Sequence, residues 1–147
     1  MITWREAIEN SGPGVVAVGL DGATVRAGTP LLVKRLDSPA HDYYLVPWED
    51  DRGIVAVVQI DAVTGAFTSA APFPVPQERL VMSAEEAARA VSATVGTPAR
   101  ETELVWMPCR ESASPLQPLY RVRTEHGEVF VGATGVQQTL TPFGRGG

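Results

Sequence analysis

The sequence predicts an α+β fold made of two pseudo-repeated units, each a short helix followed by an antiparallel β-sheet. Three observations carry this. First, residues 38–46 (Ser-Pro-Ala-His-Asp-Tyr-Tyr-Leu-Val) and 114–122 (Ser-Pro-Leu-Gln-Pro-Leu-Tyr-Arg-Val) both fit Ser-Pro-x-x-x-x-Tyr-x-Val without a gap. Second, each is preceded by a capped helix start, Thr3-Trp4-Arg5-Glu6-Ala7 and Ser83-Ala84-Glu85-Glu86-Ala87. Third, each is followed by an acidic turn and a valine ladder, Gly53, Val55 and Val57 in one copy and Gly127, Val129 and Val131 in the other. The boundaries this sets are 1–70 for the first unit, 71–80 for a proline-rich linker, 81–141 for the second unit and 142–147 for a disordered tail.

Taken in order, Thr3 with Glu6 reads as a capping box, each side chain satisfying the other's backbone N–H. Asn10-Ser11-Gly12-Pro13-Gly14 is expected to end that helix, and Val15, Val16, Val18 and Leu20 then read as a β-branched strand. Asp21-Gly22 is a two-residue hairpin signal, with Thr24 to Arg26 returning. Leu31-Leu32-Val33 and Tyr43 to Val46 are strand-like. Asp50 to Gly53 is a turn. Ile54 to Ile60 is almost wholly apolar, as a doubly covered strand would be. In Asp61-Ala62-Val63-Thr64-Gly65, the aspartate can accept from its own backbone and the glycine can take positive φ.

Residues 70–78 carry alternate prolines and predict an extended, irregular connector. Ser83 caps the second helix, Glu86 completes a box, and Gly96 stands where a terminating glycine belongs. Ala87, Val91 and Val95 share its buried face. Glu103 to Met107 is a short strand stopped by Pro108, and 108–118 is an irregular loop. Leu119–Thr124 and Glu128–Ala133 form a hairpin, and Gln137–Thr141 is a possible last strand.

Bulk properties exclude several classes. The 147 residues suit one compact domain or two small ones, and 44% hydrophobic content supplies a core. A net charge of -5, with twelve scattered Lys and Arg, argues against nucleic acid and anionic membrane. One cysteine, Cys109, excludes an internal disulfide and a cysteine-rich zinc site. No apolar run approaches the roughly 20 residues of a membrane helix. The opening Met-Ile-Thr-Trp-Arg-Glu lacks an apolar leader core, so the expected location is cytoplasmic.

The succession of capped helix, antiparallel strands, acidic turn, Val-x-Val and Asp-Ala-x-Thr-Gly resembles the PepSY domain, most closely over Tyr44 to Phe67. The second copy has only Ala133-Thr134-Gly135 at that turn, without the aspartate, and the first carries an extra segment near 14–28. The resemblance implies a domain of a kind generally secreted or membrane-attached, often beside peptidase domains, and suspected of restraining proteases.

Trp106-Met107-Pro108-Cys109-Arg110-Glu111-Ser112 is the most distinctive local run. One reading makes Cys109 a reactive thiol helped by Arg110, with His41 or His126 as base. The other, favoured here, makes it a small buried hydrophobe. His41 and Asp42 with Asp37, and Glu49-Asp50-Asp51, are read as solvated loops rather than metal sites. No phosphate-cradling glycine loop is present, so no cofactor is expected. Tyr44 and Tyr120 are read first as equivalent core aromatics. Alternatively, the two Ser-Pro loops build a cleft whose binding residues are Tyr44, Trp48, Trp106, Cys109, Arg110, Ser114 and Tyr120, suited to an apolar ligand or extended peptide.

The expected function is a non-enzymatic protein- or peptide-binding module of protease-inhibitory or immunity type. One alternative is a small-molecule-binding protein or enzyme using a cleft near Cys109. The other is a structural, oligomer-forming protein. The expected partner is a protein or peptide, with no nucleic acid and no membrane, and a homodimer is possible.

Overall fold

The structure, a computed structural model, describes residues 1–143. All but the first two residues of the expected tail lie outside the described residues. The described chain has two helices and nine strands. It divides into two units, one of Met1–Val33 with His41–Leu80, the other of Lys34–Ala40 with the chain from Val81 onward.

The first unit contains α1 (Trp4–Ala17), β1 (Arg26–Ala27), the start of β2 (Leu31–Arg35), β3 (Tyr43–Asp50), β4 (Gly53–Asp61) and β5 (Phe67–Gln77). Its strands run antiparallel in the order β5-β4-β3-β2, and the two-residue β1 pairs with the far end of β3. Thr3 and Glu6 form the full capping box. Ala7, Val15, Tyr44, Val46, Val58, Ile60 and Ala62 make the core between α1 and the sheet. Tyr43, Leu45, Val55 and Val57 alternate with these and are buried too. The nearly all-apolar run in β4 is therefore explained by burial on both faces.

Helix α1 runs through the Asn10–Gly14 segment expected to stop it, so Val15 and Val16 are helical and not in a strand. Propensity loses to packing here. Pro13 withholds one donor, and Ser11 Oγ donates to the Ile8 carbonyl at 2.6 Å within the same turn. Gly14 presses against β4 so closely that a Cβ would sit 2.6 Å from Val58 Cγ1. Any larger residue would hold the helix off the sheet, so the glycine that looks like a breaker is a close-approach point. The expected Asp21-Gly22 hairpin does not form. Thr24 N–H donates to the Asp21 carbonyl in a turn, but the strand that follows pairs with β3.

The alternate prolines at 72, 74 and 76, expected in an irregular connector, lie in β5. This strand ends the order in its sheet, so one side of it needs no donors, and prolines are tolerated there. Register slips between Ile54 and Ala56 of β4 accommodate the remaining mismatch.

The second unit contains α2 (Ala84–Val95), β6 (Glu101–Trp106), β7 (Leu119–Thr124), β8 (Gly127–Gly132) and β9 (Gly135–Gln137). Lys34 and Arg35, the end of β2, pair parallel with β6, and β6-β7-β8-β9 follow antiparallel. Ser83 Oγ accepts from Glu86 N–H at 3.1 Å, and Gly96 closes α2 at φ 76°. Ala87 and Val91 pack on Tyr120, Val122, Val129 and Val131. The last strand begins two residues earlier than 137–141, across an Ala133-Thr134 turn.

Candidate functional site

Tyr44 and Tyr120 occupy matching environments in their own units. Tyr44 stands opposite Leu32 on one neighbouring strand and Ile60 on the other. Tyr120 stands opposite Leu104 and Val131. Two residues on, Val46 faces Val58 and Val122 faces Val129. Tyr44 Oη donates to the Ile2 carbonyl at 3.1 Å, and Tyr120 Oη to the Met82 carbonyl at 2.8 Å. Ile2 and Met82 are each the residue before a helix N-cap. Each hydroxyl thus ties a helix start to the middle of its sheet.

Trp48 is half-buried and its Nε1 donates to Ser11 Oγ at 3.1 Å. Trp106 is buried and its Nε1 donates to the carbonyl and hydroxyl of Ser112. The Arg35 guanidinium lies 4.7 Å over the Trp106 ring and is held there by two hydrogen bonds to Asp37. That pairing with Arg35 also holds the Asp37 carboxyl below its ordinary pKa. Ser114 accepts from Leu116 N–H through Oγ and from Gln117 N–H through its carbonyl, so it shapes the 108–118 loop. Arg110 is exposed. The second unit thus brings Trp106, Cys109 and Ser114 together around Ser112.

Cys109 is fully buried, with Sγ 3.5 Å from the Ser112 carbonyl. Burial pushes its pKa up, and the neighbouring Glu111 carboxylate adds to this, so the thiol form is favoured. His41 Nδ1 is 2.9 Å from Asp61 Oδ2, and His126 lies on an exposed turn beside Glu125. Among the described residues no group of three His, Cys, Asp or Glu is placed to hold a metal ion.

The Asp61 contact gives the turn after β4 its rigidity. Asp61 Oδ1 accepts from the N–H groups of Val63 and Thr64, both at 2.8 Å, and Gly65 follows at φ 76°. Burial raises the Asp61 pKa, but the Thr64 N–H, His41 and the Val63 N–H outweigh it and hold it below the ordinary value.

A different set of residues forms the open polar surface. On the second unit's sheet, the face away from α2 carries Glu101 and Glu103 from β6, opposite Arg123 and Arg121 from β7. Arg121 pairs with Glu103, and Arg123 bridges Glu101 at 3.1 Å and Glu128 of β8 at 3.2 Å. Lys34, next to β6 at the end of β2, adds a further cation to the same cleft, whose volume is about 260 Å³. The arginine at 121 lowers the Glu103 pKa against the opposing effect of burial, with Lys34 and Arg123 contributing. These residues were not singled out from the sequence. The signal was present as charge at alternate positions, 101 and 103 then 121 and 123, which puts all four on one sheet face once the strands pair.

Compared with known proteins, the chain matches no family model, no curated protein and no solved structure.

Proposed function

We propose that the two units are copies of one PepSY-like α-then-β unit, and that the chain is a non-enzymatic module that binds a protein or peptide, of inhibitory or immunity type. The repeat is supported by the paired tyrosine contacts, which join the same strand position to the same point before a helix cap in both units. The absence of catalysis is supported by Cys109, which is buried with its pKa raised and has neither histidine as a partner.

The observation that carries the binding role is the charged ladder of the second unit's sheet. It presents Lys34, Arg121 and Arg123 interleaved with Glu101 and Glu103 around a cleft wide enough for a few side chains of a partner, with Glu128 paired to Arg123. Alternating charges of this kind contribute little to stability when exposed. They do select a partner of complementary pattern and speed its encounter.

The test is affinity capture followed by calorimetric titration of the purified captured protein. One stoichiometric partner whose binding is lost in Lys34→Glu and Arg123→Glu supports the reading. Failure to find such a partner, together with Cys109 carrying a small molecule, would favour the alternative of a small-molecule-binding protein or enzyme acting through Cys109. Light scattering of the same samples reports whether the partner is a second copy of the chain.

A further inference from the structure

Strand β5, eleven residues long, is the longest strand of the described chain, and it ends the strand order of the first unit's sheet. An end strand leaves one row of main-chain N–H and C=O groups unpaired. A long, uncharged, apolar end strand is where another chain adds a strand of its own. Phe67–Gln77 has that composition: it carries no charged residue, and Phe67 and Val75 are 41% and 70% exposed. By contrast β9, at the end of the second unit's strand order, is three residues long and offers little to pair with.

The prolines of β5 fall where that row would be read. Residues directly opposite each other in an antiparallel ladder exchange both hydrogen bonds or neither. Pro72 stands opposite Ala56 and has no N–H, so this pair exchanges none and the Pro72 backbone faces away from β4. Ala71, opposite Val57, then faces inward, and Ala70, opposite Val58, faces outward with its N–H available. Beyond Pro72 the ladder resumes only where Gln77 meets Ile54, so residues 73–76 stand against the single residue Val55. Two of those bulged residues, Pro74 and Pro76, also lack an N–H. After Ala70 the outer edge therefore has a missing donor followed by a bend, and no regular row on which a strand could continue. Pro72 and Pro74 are exposed, so neither is there to fill the core.

We propose that Pro72, Pro74 and Pro76, with the bulge they occupy, are a guard that keeps a second copy of this chain from adding its own β5 to this edge. Two β5 edges meeting antiparallel about a twofold axis would pair both unpaired rows, because the same surface would serve on each side. The prolines withhold the donors that such a meeting needs. The guard belongs to the first unit and acts whether or not the charged ladder binds a partner.

The experiment is static light scattering of the full-length protein over a concentration series, with amide hydrogen exchange and the thermal midpoint measured on the same samples. One variant carries Pro72→Thr, Pro74→Thr and Pro76→Thr together, which restores three N–H groups and favours a regular strand. Its scattered mass is expected to rise with concentration to about twice that of wild type, reversibly on dilution, with slowed exchange of the Ala70 N–H. Adding Val75→Lys to that variant puts a charge on the same edge and is expected to return the mass to the wild-type value. Pro72→Thr alone is the milder change. It restores one outward N–H on the row of Ala70 and is expected to associate in the same way but more weakly. The proposal is overturned if the triple variant and Pro72→Thr both keep the wild-type mass at every concentration, if association appears only as the midpoint falls, or if Val75→Lys leaves it unchanged. It is also overturned if the Ala70 N–H is already protected in dilute wild type.

Discussion

Tyr44 and Tyr120 close the same contact in two places, and each can be removed without disturbing its ring. Tyr44→Phe and Tyr120→Phe each leave a backbone carbonyl without that donor, those of Ile2 and Met82. Each is expected to cost about 1 kcal/mol in urea denaturation. Because the two belong to different cores, the double variant should show nearly the sum. A strongly non-additive result would contradict the separate-core assignment. Glycines of α1 make a second paired test. At Gly14 an added Cβ meets Val58 at 2.6 Å and the Phe67 ring at 3.0 Å, so Gly14→Ala should destabilise by about 1–3 kcal/mol. At Gly12 a Cβ meets nothing within 4 Å outside its chain neighbours, but Pro13 follows and its ring crowds the Cβ of a helical residue before it, so the gain in helix propensity is offset and Gly12→Ala should change stability little. Thermal melts should show a clear loss for Gly14→Ala and little change for Gly12→Ala.

At the scale of elements, local chemistry was read well where it acts alone and poorly where packing decides. Both helix starts were legible because a hydroxyl three residues before a glutamate satisfies N-terminal donors regardless of context. The turn at Asp61–Gly65 was legible for the same reason, since its aspartate bonds its own backbone. The end of α1 was not, because the value of Gly14 lies in its distance to Val58, a residue 44 positions away. Nor was β5, since proline is incompatible with an interior strand but harmless on the outer side of an end strand, and position in the sheet order is a tertiary property. Of the candidate binding residues, Tyr44, Tyr120 and Trp106 turned out to be buried, with their polar atoms bonded inside their own units. The exposed ladder, a further candidate surface, needed the register of β6 on β7 to be seen. An element-level check follows from the caps. Ser83→Ala should cost about 1 kcal/mol and lower the helical circular dichroism signal before the β signal on heating.

For the whole molecule, acid should be the most informative perturbant. Asp37, Asp61, Glu103 and Glu111 all have folded pKa values below their ordinary ones. Below those ordinary values the unfolded chain takes up protons more readily than the folded one. Stability is therefore complete above about pH 4–5, falls as pH drops through the ordinary carboxylate range, and has lost these contributions once pH passes below the lowered folded values. Urea midpoints measured from pH 7 to pH 2.5 should be flat and then decline, and Asp61→Asn should flatten part of that decline. Dividing the chain is a second whole-molecule test. The second unit draws Lys34–Ala40 from sequence ahead of the rest of it. A fragment starting at Val81 lacks the strand beside β6 and the guanidinium over Trp106. Circular dichroism of that fragment alone should show reduced β content, and a synthetic peptide covering 31–40 should restore part of it.

The shared strand β2 has a consequence for the order of events during synthesis. Every residue of the first unit has been made once the ribosome passes Leu80, while Lys34 and Arg35 still lack their neighbour. Domains generally fold from the N-terminal side as they emerge. The growing chain would then carry a finished first unit while the second still waits for β6, the strand that pairs with Lys34 and Arg35. That parallel pairing, between residues far apart in sequence, is the slow contact of the second unit and closes only after most of the chain has been made.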